Sequence, residues 1–401
     1  MNTKLMVWSG WCLLFGLCSG WGAATESLVE RNNAFAFELY QSLGNTPGNL
    51  IASPFSLSVS MSMVHAGASG ETARQISETM HFTGLDTGAA FHEFILHLKA
   101  MEEKASVQLR SAQSLWVDKS YAFREPFLNA LKTYYFSELQ PVDFMADAET
   151  ARTEINAWVE QQTQDKIRNL LPPGTLNAMI RLVLVNAVYF KSQWAHPFDP
   201  SLTREMPFTI VPDEETNVMM MSRQGDYLYA EDDEAQWLEL LYANQDLSMV
   251  ILLPKATNGL SGVESKLTFA YFEDGLKKLH SRDVQVLMPR FKIVSSFVLN
   301  DVLQSMGVTE AFHVQKADFS GMSKRPGLWM SDVIHKVFVE VNEEGTEAAA
   351  ATGAIMSLTS VPASPVVFQA DRPFVFLIRE RGQGGILFMG RVSDPTRLAA
   401  D

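Results

Sequence analysis

The sequence is organised around residues 333–360. Residues 333–341 read VIHKVFVEV, a β-branched and aromatic run typical of a strand, and residues 342–360 continue as NEEGTEAAAATGAIMSLTS. The continuation consists largely of small residues, and Pro362 and Pro365 behind it do not belong inside a sheet. The sequence therefore predicts a strand that runs on into an exposed segment of small residues.

The composition bounds the classes of protein that this chain can belong to. Of its 401 residues, 47% are hydrophobic, which is enough for a sizeable core and argues against wholesale disorder. Acidic residues number 46 and basic residues 32, which gives a net charge of −14. This charge argues against a nucleic-acid partner and favours a basic partner or plain solubility. No repeat or low-complexity linker divides the chain, so we expect one large domain.

Residues 1–24 have the organisation of a secretory signal peptide. Lys4 supplies the positive charge, an apolar stretch follows, and the small residues 22–24 suit cleavage before Thr25. Cys12 and Cys18 are the two cysteines of the chain and both lie in this segment, so the mature chain from 25 to 401 would contain no disulfide. We expect a secreted protein, extracellular or, in a bacterium, periplasmic, with no membrane attachment after cleavage.

Hydrophobic periodicity predicts an α+β fold, with helices mostly in the first half and strands mostly in the second. Ser53 is expected to cap a helix that begins at Pro54. The apolar run 180–190 is expected to be a strand buried on both faces, so Asn186 in its middle must be hydrogen-bonded. The predicted helices cover residues 26–43, 56–65, 89–104, 151–171 and 299–306. The predicted strands are a short one before Ser53 and residues 107–117, 180–190, 237–242, 247–253, 287–294, 333–341, 365–378 and 385–392.

A search for catalytic and metal-binding motifs finds none. His92 and His97 approach the HExxH pattern of zinc proteases, but they are five residues apart and so point about 140° away from each other on a helix. Residues 67–71, GASGE, lack the closing glycine of a nucleophile elbow. We therefore expect no enzyme activity, no catalytic residue, no cofactor and no metal.

Over residues 26–397 the chain resembles the serpins, a family of serine protease inhibitors. Residues 156–160, NAWVE, resemble the helix that crosses the front of the family's main sheet. Residues 186–191, NAVYFK, with Trp194, resemble its central strand. Residues 368–376, FQADRPFVF, are similar to the C-terminal signature, and residues 388–392, FMGRV, to the closing strand.

The resemblance implies a single large domain with a main mixed β-sheet, further sheets, eight or nine helices and an exposed reactive-centre loop at about residues 343–365. It also implies a mechanism. A protease cleaves the loop and becomes acylated, and the hinge then inserts into the main sheet and carries the trapped protease with it. The hinge residues implied are Glu343, Glu344, Gly345, Thr346, Glu347, Ala348, Ala349, Ala350, Ala351 and Thr352.

The side chains of this hinge suit insertion as a strand. Alternate residues share one face of a strand, and Thr346, Ala348, Ala350 and Thr352 form a small-residue face that can pass beneath a helix layer. Glu347 lies on the opposite face, and Gly345 supplies a pivot. Insertion from Thr346 to Thr359 would span about 45 Å at roughly 3.3 Å per residue.

The resemblance also implies the position of the reactive bond. Thr359 lies fourteen residues after Gly345 and nine before Phe368, which indicates cleavage between Thr359 and Ser360. Cleavage between Leu358 and Thr359 is the neighbouring alternative. A small, uncharged Thr359 suits the shallow apolar pocket of an elastase-like serine protease, whereas Leu358 would suit a chymotrypsin-like one. We expect the protease to be held as a covalent complex.

Two further groups of residues follow from the resemblance. Ser53, Ser56, Asn186 and His335 match a polar cluster beneath the main sheet that controls its opening. Arg290 and Glu343 match a charge pair at the top of the sheet, with Trp194 nearby, and an exposed pair would stabilise the fold little. We expect a monomer. The sequence contains no basic cluster of the kind that would indicate a heparin-binding site.

Three alternatives to a serine protease inhibitor are considered. A cysteine protease could be the target in place of a serine protease. A non-inhibitory serpin could act as a chaperone, storage protein or carrier, but such members tend to carry bulky, charged or proline residues in the hinge. A secreted hydrolase is a third class, and activity on a generic ester would reveal it.

Overall fold

The computed structural model describes residues 19–104, 107–346 and 364–397. Nine α-helices and fifteen strands lie in these ranges, which confirms the α+β prediction. The helices are α1 (Ser19–Leu43), α2 (Pro54–His65), α3 (Gly70–Thr79), α4 (Thr87–Lys104), α5 (Glu125–Tyr135), α6 (Ala148–Gln162), α7 (Leu260–Lys266), α8 (Phe269–Lys278) and α9 (Asn300–Ser305).

The strands form two sheets of mixed direction. They are β1 (Leu50–Ala52), β2 (Val107–Asp118), β3 (Leu139–Val142), β4 (Leu182–Gln193), β5 (Arg204–Val211), β6 (Glu214–Glu231), β7 (Ala235–Leu241), β8 (Leu247–Pro254), β9 (His280–Pro289), β10 (Phe291–Val298), β11 (Asp332–Val341), β12 (Gly345–Thr346), β13 (Val366–Gln369), β14 (Phe374–Glu380) and β15 (Ile386–Val392).

The six-stranded sheet, called the main sheet here, has the order β10-β11-β4-β2-β3, and β12 pairs with the end of β4. The central strands β11 and β4 run parallel, and β2 and β10 run antiparallel to their neighbours in the centre. The first nine residues of β4 are all buried, as the apolar run predicts. They are buried because α2 packs beneath one face of the sheet while α6 covers part of the other.

The nine-stranded sheet has the order β1-β15-β14-β8-β7-β6-β9-β13, with β5 on β6. The family resemblance implies several further sheets. In this structure they are one continuous hydrogen-bonded sheet, because the long strand β6 pairs with β5 in its first part, with β9 from Met220 to Tyr229 and with β7 at its end. The predicted hairpin of β7 and β8 is confirmed.

The helix α2 begins as predicted. Pro54 is its first residue, and the Ser53 hydroxyl accepts a hydrogen bond from the amide of Ser56. Every residue of α2 up to Val64 is buried, including four serines that follow one another at every second position from Ser56. This helix therefore carries hydroxyl groups directly beneath the main sheet.

The predicted helix 151–171 is wrong in its second half. The helix α6 ends at Gln162, and Gln164, Asp165 and Asn169 adopt left-handed backbone conformations that a helix cannot contain. The buried hydroxyl of Thr163 donates to the Val159 carbonyl and accepts from the Ile167 amide, which turns the chain back. Apolar residues 167, 170 and 171 continue the periodic pattern because they pack into the same core cluster as α6.

Two predicted strands are each divided in the structure. The predicted strand 287–294 is interrupted at Arg290, where the chain leaves β9 in the nine-stranded sheet and enters β10 in the main sheet. The predicted strand 365–378 is β13 and β14 separated by residues 370–373, because β13 pairs in parallel with β9 while β14 forms the hairpin with β15. Strand periodicity records neither the change of sheet at Arg290 nor the change of partner strand between β13 and β14.

The first helix begins earlier than predicted, at Ser19 in place of residue 26. It therefore extends across the predicted cleavage position before Thr25. No helix in the described ranges combines the length and the apolar character needed to cross a bilayer.

Candidate functional site: the hinge and the polar cluster of the main sheet

A tight turn at residues 342–345 reverses the chain after β11. The Asn342 amide donates to the Gly345 carbonyl at 2.8 Å, and the Asn342 side-chain oxygen accepts from the Glu344 amide at 3.1 Å. The chain beyond β4 clamps this turn, since the Trp194 amide donates to the Glu344 carbonyl and the Phe198 amide donates to the Glu343 carbonyl. The hinge therefore starts from a fixed point at the top of the main sheet.

The first two residues beyond the turn already lie in the sheet. Gly345 pairs with Gln193 and Thr346 with Ser192, antiparallel to β4. The pairing of β11 with β4 ends lower, at Val339 and Phe190, so the hinge occupies the start of the gap between the two strands. The sequence predicts an uninserted hinge, whereas the structure shows that it is inserted by two residues.

Gly345 is required here by space as well as by its backbone angle. Its φ is 145°, and a Cβ atom would overlap the carbonyl oxygen of Ser192 on β4. A glycine thus allows the hinge to approach β4 closely enough to pair. The lack of space for a Cβ atom restricts this position to glycine more strictly than the role of pivot that the sequence suggests.

Glu343 is held by two side chains beside the turn. The Arg290 Nε lies 2.7 and 2.8 Å from its two carboxylate oxygens, and the Thr203 hydroxyl donates to it. Arg290 is half exposed, whereas the side chain of Glu343 is only 6% exposed, so the weak stabilisation expected of an exposed pair does not apply to Glu343. Burial opposes ionisation of Glu343, but the hydrogen bonds from Arg290 and Thr203 outweigh it, so the pKa of this carboxyl lies below its ordinary value.

Trp194 lies beneath the same turn. Its indole Nε1 donates to the Asn342 carbonyl at 3.0 Å, and its ring stacks on Tyr242 at 4.7 Å between centroids. The Tyr242 hydroxyl lies 3.3 Å from the Thr346 hydroxyl, and both residues are fully buried. Arg290, Glu343 and Trp194 therefore surround one end of the hinge, and Tyr242 contacts its inserted part.

The structure brings Ser53, Ser56, Asn186 and His335 into one buried cluster. His335 of β11 and Asn186 of β4 are paired in the parallel register, and His335 Nδ1 lies 3.0 Å from Asn186 Oδ1. The Ser56 hydroxyl donates to the same Oδ1 at 3.0 Å, and the Ser53 amide donates to His335 Nε2 at 3.0 Å. The cluster therefore links the two central strands to the start of α2.

These contacts define the protonation of His335. A backbone amide can only donate, so Nε2 is the acceptor and Nδ1 carries the proton that it donates to Asn186. His335 is fully buried, and burial lowers the pKa of its imidazole to about 3. The ring is therefore neutral throughout the physiological range, in one tautomer.

Sequence reasoning missed several members of these two groups. Asn186 Nδ2 donates to the Ser60 hydroxyl at 2.7 Å, and Gln113 Nε2 donates to the Ser56 hydroxyl at 2.6 Å. Ser60 lies one helical turn after Ser56 on α2, and this spacing was a usable signal. Gln113 on β2 comes next to Asn186 only through the register of the sheet. Thr203 likewise contacts Glu343 only in the folded chain. No local sequence pattern therefore identifies Gln113 or Thr203 as a member of the site.

Several predicted residues lie outside the described part of the chain. They are Glu347, Ala348, Ala349, Ala350, Ala351 and Thr352 of the hinge, and Leu358, Thr359 and Ser360 at the reactive bond.

In the described ranges no group of three or more potential ligands is arranged to hold a metal. His92 stacks on Phe136 at 5.1 Å between ring centroids, and His97 lies 3.4 Å from Glu380, so the two histidines of the HExxH-like stretch have separate surroundings.

Comparison with known proteins identifies the family. A family model described as "Serpin (serine protease inhibitor)" matches residues 30–395. The chain is a serpin. The human leukocyte elastase inhibitor is 41% identical over 382 residues, which cover 92% of this serpin and 100% of that relative. Serpin B6 of Pongo abelii is 40% identical over 377 residues, with the same two coverages.

A solved structure agrees with this assignment. The crystal structure of human thyroxine-binding globulin complexed with thyroxine has a TM-score of 0.83 and 32% identity, covering 93% of this serpin and 100% of that chain. The serpin fold and the single large domain are thus confirmed. The family and its named relatives place this serpin with inhibitors of proteases and not with enzymes.

Proposed function

We propose that this serpin inhibits serine proteases as a suicide substrate. Cleavage of the reactive-centre loop between Thr359 and Ser360 acylates the protease, and the loop then inserts into the main sheet with the protease attached. The observation that carries this proposal is the pairing of Gly345 and Thr346 with β4 at the gap beside β11. The loop already has both a direction and a register for insertion.

The register fits the length of the sheet. Each step forward from the pair of Thr346 and Ser192 moves one residue back along β4, so residues 345–356 would match the twelve residues 193–182. Thr359 would then lie three residues beyond the far end of β4. A protease attached there would be carried along the full length of the strand.

The faces of the inserted strand also fit. In the continued register Ala348 faces Phe190 and Ala350 faces Val188, on the same side of β4 as Thr346. Phe190 and Val188 belong to the core that contains α2, so only small residues can enter there. Glu347 would face Lys191, a residue of opposite charge on the less buried side.

Insertion requires β11 and β4 to separate. Eight registered residue pairs now join them, and a new strand between them needs about 4.8 Å of additional spacing. The pair of His335 and Asn186 lies within this series, so we assign the buried polar cluster the role of resisting premature opening.

If the polar cluster resists premature opening of the main sheet, His335→Ala should make the sheet open more easily. Removing the imidazole leaves the Ser53 amide without a partner and breaks the direct bond between β11 and Asn186, so we expect more polymer or more latent monomer on warming, measured by native gel and size-exclusion chromatography. His313→Ala, at an exposed site, is the control. An unchanged rate of polymerisation and unchanged monomer stability would remove this role.

The target proposed is an elastase-like serine protease. The small side chain of Thr359 supports it, and so does the likeness to a protein named leukocyte elastase inhibitor. A chymotrypsin-like protease acting after Leu358 is the alternative, and a cysteine protease is a further one.

The experiment is incubation with elastase, chymotrypsin, trypsin and subtilisin, followed by SDS gel electrophoresis and mass analysis of the released peptide. We expect an SDS-stable complex with elastase and a new N-terminus at Ser360. A new N-terminus at Thr359 would favour the chymotrypsin-like alternative. Cleavage without any complex, across all four proteases, would reject inhibition of this kind.

Two arginine variants separate insertion from cleavage. Thr346→Arg places a charge at a fully buried position of the hinge, so we expect cleavage to continue while the complex is lost. Ser364→Arg, at an exposed position on the other side of the loop, should still form the complex. If both variants form it equally, insertion at Thr346 is not part of the mechanism.

We also propose that residues 1–24 direct secretion. The family match begins at residue 30, so this segment lies ahead of the matched domain. Expression of the full chain with N-terminal sequencing of the exported protein tests this, with Thr25 expected as the first residue. Retention of an uncleaved chain in the cell would contradict it.

A second candidate function, carriage of a small anionic ligand, has one observation in its favour. A cavity of 440 Å³ between α1, α8 and the turn after β14 is lined by Phe269 and Phe272 and by the charged residues Glu30, Glu273, Lys277 and Arg379. The buried Arg379 Nε has no hydrogen-bond partner among the described residues. Thyroxine is a suitable probe, since a relative in this fold is named for binding it. Binding that is lost in Arg379→Met would support this function, and no binding would remove it.

A further inference from the structure

Three buried hydroxyl groups meet where the hinge enters the main sheet. Thr346 is the inserted hinge residue, Ser192 is its partner across the strand pair, and the Tyr242 hydroxyl lies 3.3 Å from that of Thr346. All three residues are completely buried. Thr346 is the most deeply inserted hinge residue that the structure describes. Whether these three hydroxyl groups are hydrogen-bonded therefore affects the stability of the inserted state.

Tyr242 has a fixed position. Its ring stacks on Trp194 at 4.7 Å and meets Phe190 edge to face at 5.3 Å, so the phenol cannot turn away from the hinge. Its hydroxyl reaches Thr346 at 3.3 Å, and burial keeps it protonated by raising its pKa. The contact therefore favours the state in which Thr346 lies in the sheet.

Ser192 has the opposite effect. Its hydroxyl is buried and has no hydrogen-bond partner in the described part of the chain. As the direct antiparallel partner of Thr346 it lies on the same face of the sheet. Withdrawal of Thr346 would open this end of the gap to water, which could then bond the Ser192 hydroxyl. An unsatisfied buried hydroxyl thus disfavours the inserted state.

We propose that Tyr242 is a positioning residue that holds Thr346 two residues deep in the main sheet, while the unpartnered hydroxyl of Ser192 opposes that state. Together they set the resting depth of the hinge. Only the consequence of this inference rests on the proposed function, because the resting depth determines how many residues of the loop are already inserted when a protease binds. The structural part can be tested without a protease.

The test is hydrogen–deuterium exchange at the amides of Gly345 and Thr346 in the intact protein. Tyr242→Phe removes the bond to Thr346 and keeps the aromatic stack, so we expect exchange at least about fivefold faster. Ser192→Ala removes the unsatisfied hydroxyl, so we expect exchange slower by about the same factor.

Matched controls separate positioning from general stability. Ser58 on α2 is another fully buried serine whose hydroxyl has no partner in the described residues, and Tyr135 on α5 is another buried tyrosine, bonded to Ser62 at 2.6 Å. Ser58→Ala and Tyr135→Phe can change the unfolding temperature but should leave hinge exchange unchanged. Hinge exchange that follows the unfolding temperature across all four variants would overturn the proposal.

The outcomes distinguish this inference from the proposed function. Opposite changes in hinge exchange in Tyr242→Phe and Ser192→Ala support the positioning role, even if no protease is trapped and the inhibitory function is rejected. Equal or absent shifts overturn the positioning role, even if elastase is trapped. In a trapping protein, the two variants should also change the rate of complex formation in opposite directions.

Discussion

The imidazole of His335 makes two hydrogen bonds, and the one that Nε2 accepts can be made only by the neutral form. Protonation at Nε2 would set a donor against the Ser53 amide, which is itself a donor at 3.0 Å. The unfolded chain has no such restriction and takes up a proton near the ordinary pKa of 6.5, against about 3 in the folded protein. Between these two pH values the free energy of unfolding therefore decreases as the pH falls.

This linkage predicts a pH-dependent contribution to stability. The contribution of His335 is complete above pH 6.5 and is lost as the pH falls toward about 3. Relative to His335→Gln, the free energy of unfolding of the wild type should fall by about 1.4 kcal/mol per pH unit in this window. Urea unfolding at several pH values measures it, with exposed His313→Gln as the control. Parallel pH profiles for wild type and His335→Gln would contradict the assignment.

The ion pair of Arg290 and Glu343 can be tested with a double-mutant cycle. Arg290→Met leaves a buried carboxylate with Thr203 as its remaining partner, so we expect a loss of about 1–3 kcal/mol, less than for a fully buried pair because Arg290 is half exposed. Glu343→Gln in the same chain should recover part of the loss. Additive effects in urea unfolding would show that the two side chains do not act as a pair.

At the scale of elements, the segment after α6 closes one face of the main sheet. Asn156 on α6 holds it by two hydrogen bonds to Leu171, one to the carbonyl and one from the amide, both at 2.9 Å. Residues 167, 170 and 171 of this segment are buried against the same cluster as β4 and β11. Arg152 and Glu160 of the same helix also bond this segment, at the Leu171 carbonyl and the Asn169 amide, so three side chains of α6 hold it.

We expect Asn156→Ala to loosen this segment locally. The buried Leu171 amide loses its partner while the Leu171 carbonyl keeps its bond from Arg152, so the free energy of unfolding should fall by about 1–2 kcal/mol. Hydrogen exchange across residues 163–171 should also rise more than exchange in α2. Asn177→Ala, which removes a local and exposed turn contact, is the control. Uniform exchange changes across the whole chain would show that Asn156 does not act locally.

The elements that the sequence predicts well are those determined by burial on both faces or by a local cap. The apolar run of β4 and the Ser53–Pro54 start of α2 are of this kind. The end of α6 was missed because residues 167–171 keep helical spacing of apolar side chains while the backbone turns left-handed at Gln164 and Asp165. Periodicity reports which residues are buried, not how the backbone brings them there.

For the molecule as a whole, the sequence predicts part of the membership of the site but not the conformation of the hinge. The family resemblance brings Asn186, His335 and Glu343 forward, and the structure shows their contacts. Insertion of the hinge by two residues could not be read from the sequence. It depends on a turn at 342–345 that is clamped by Trp194 and Phe198, which are about 150 residues away in the chain.

The central claim is that the cleaved loop becomes a strand of the main sheet, and the change in unfolding temperature on cleavage tests it most directly. A full-length strand adds roughly ten hydrogen bonds at about 1 kcal/mol each, so cleavage at Thr359–Ser360 should raise the midpoint by more than about 10 °C. Thr346→Arg, cleaved at the same bond, should gain little. A wild-type protein whose midpoint stays the same or falls after cleavage would contradict the account.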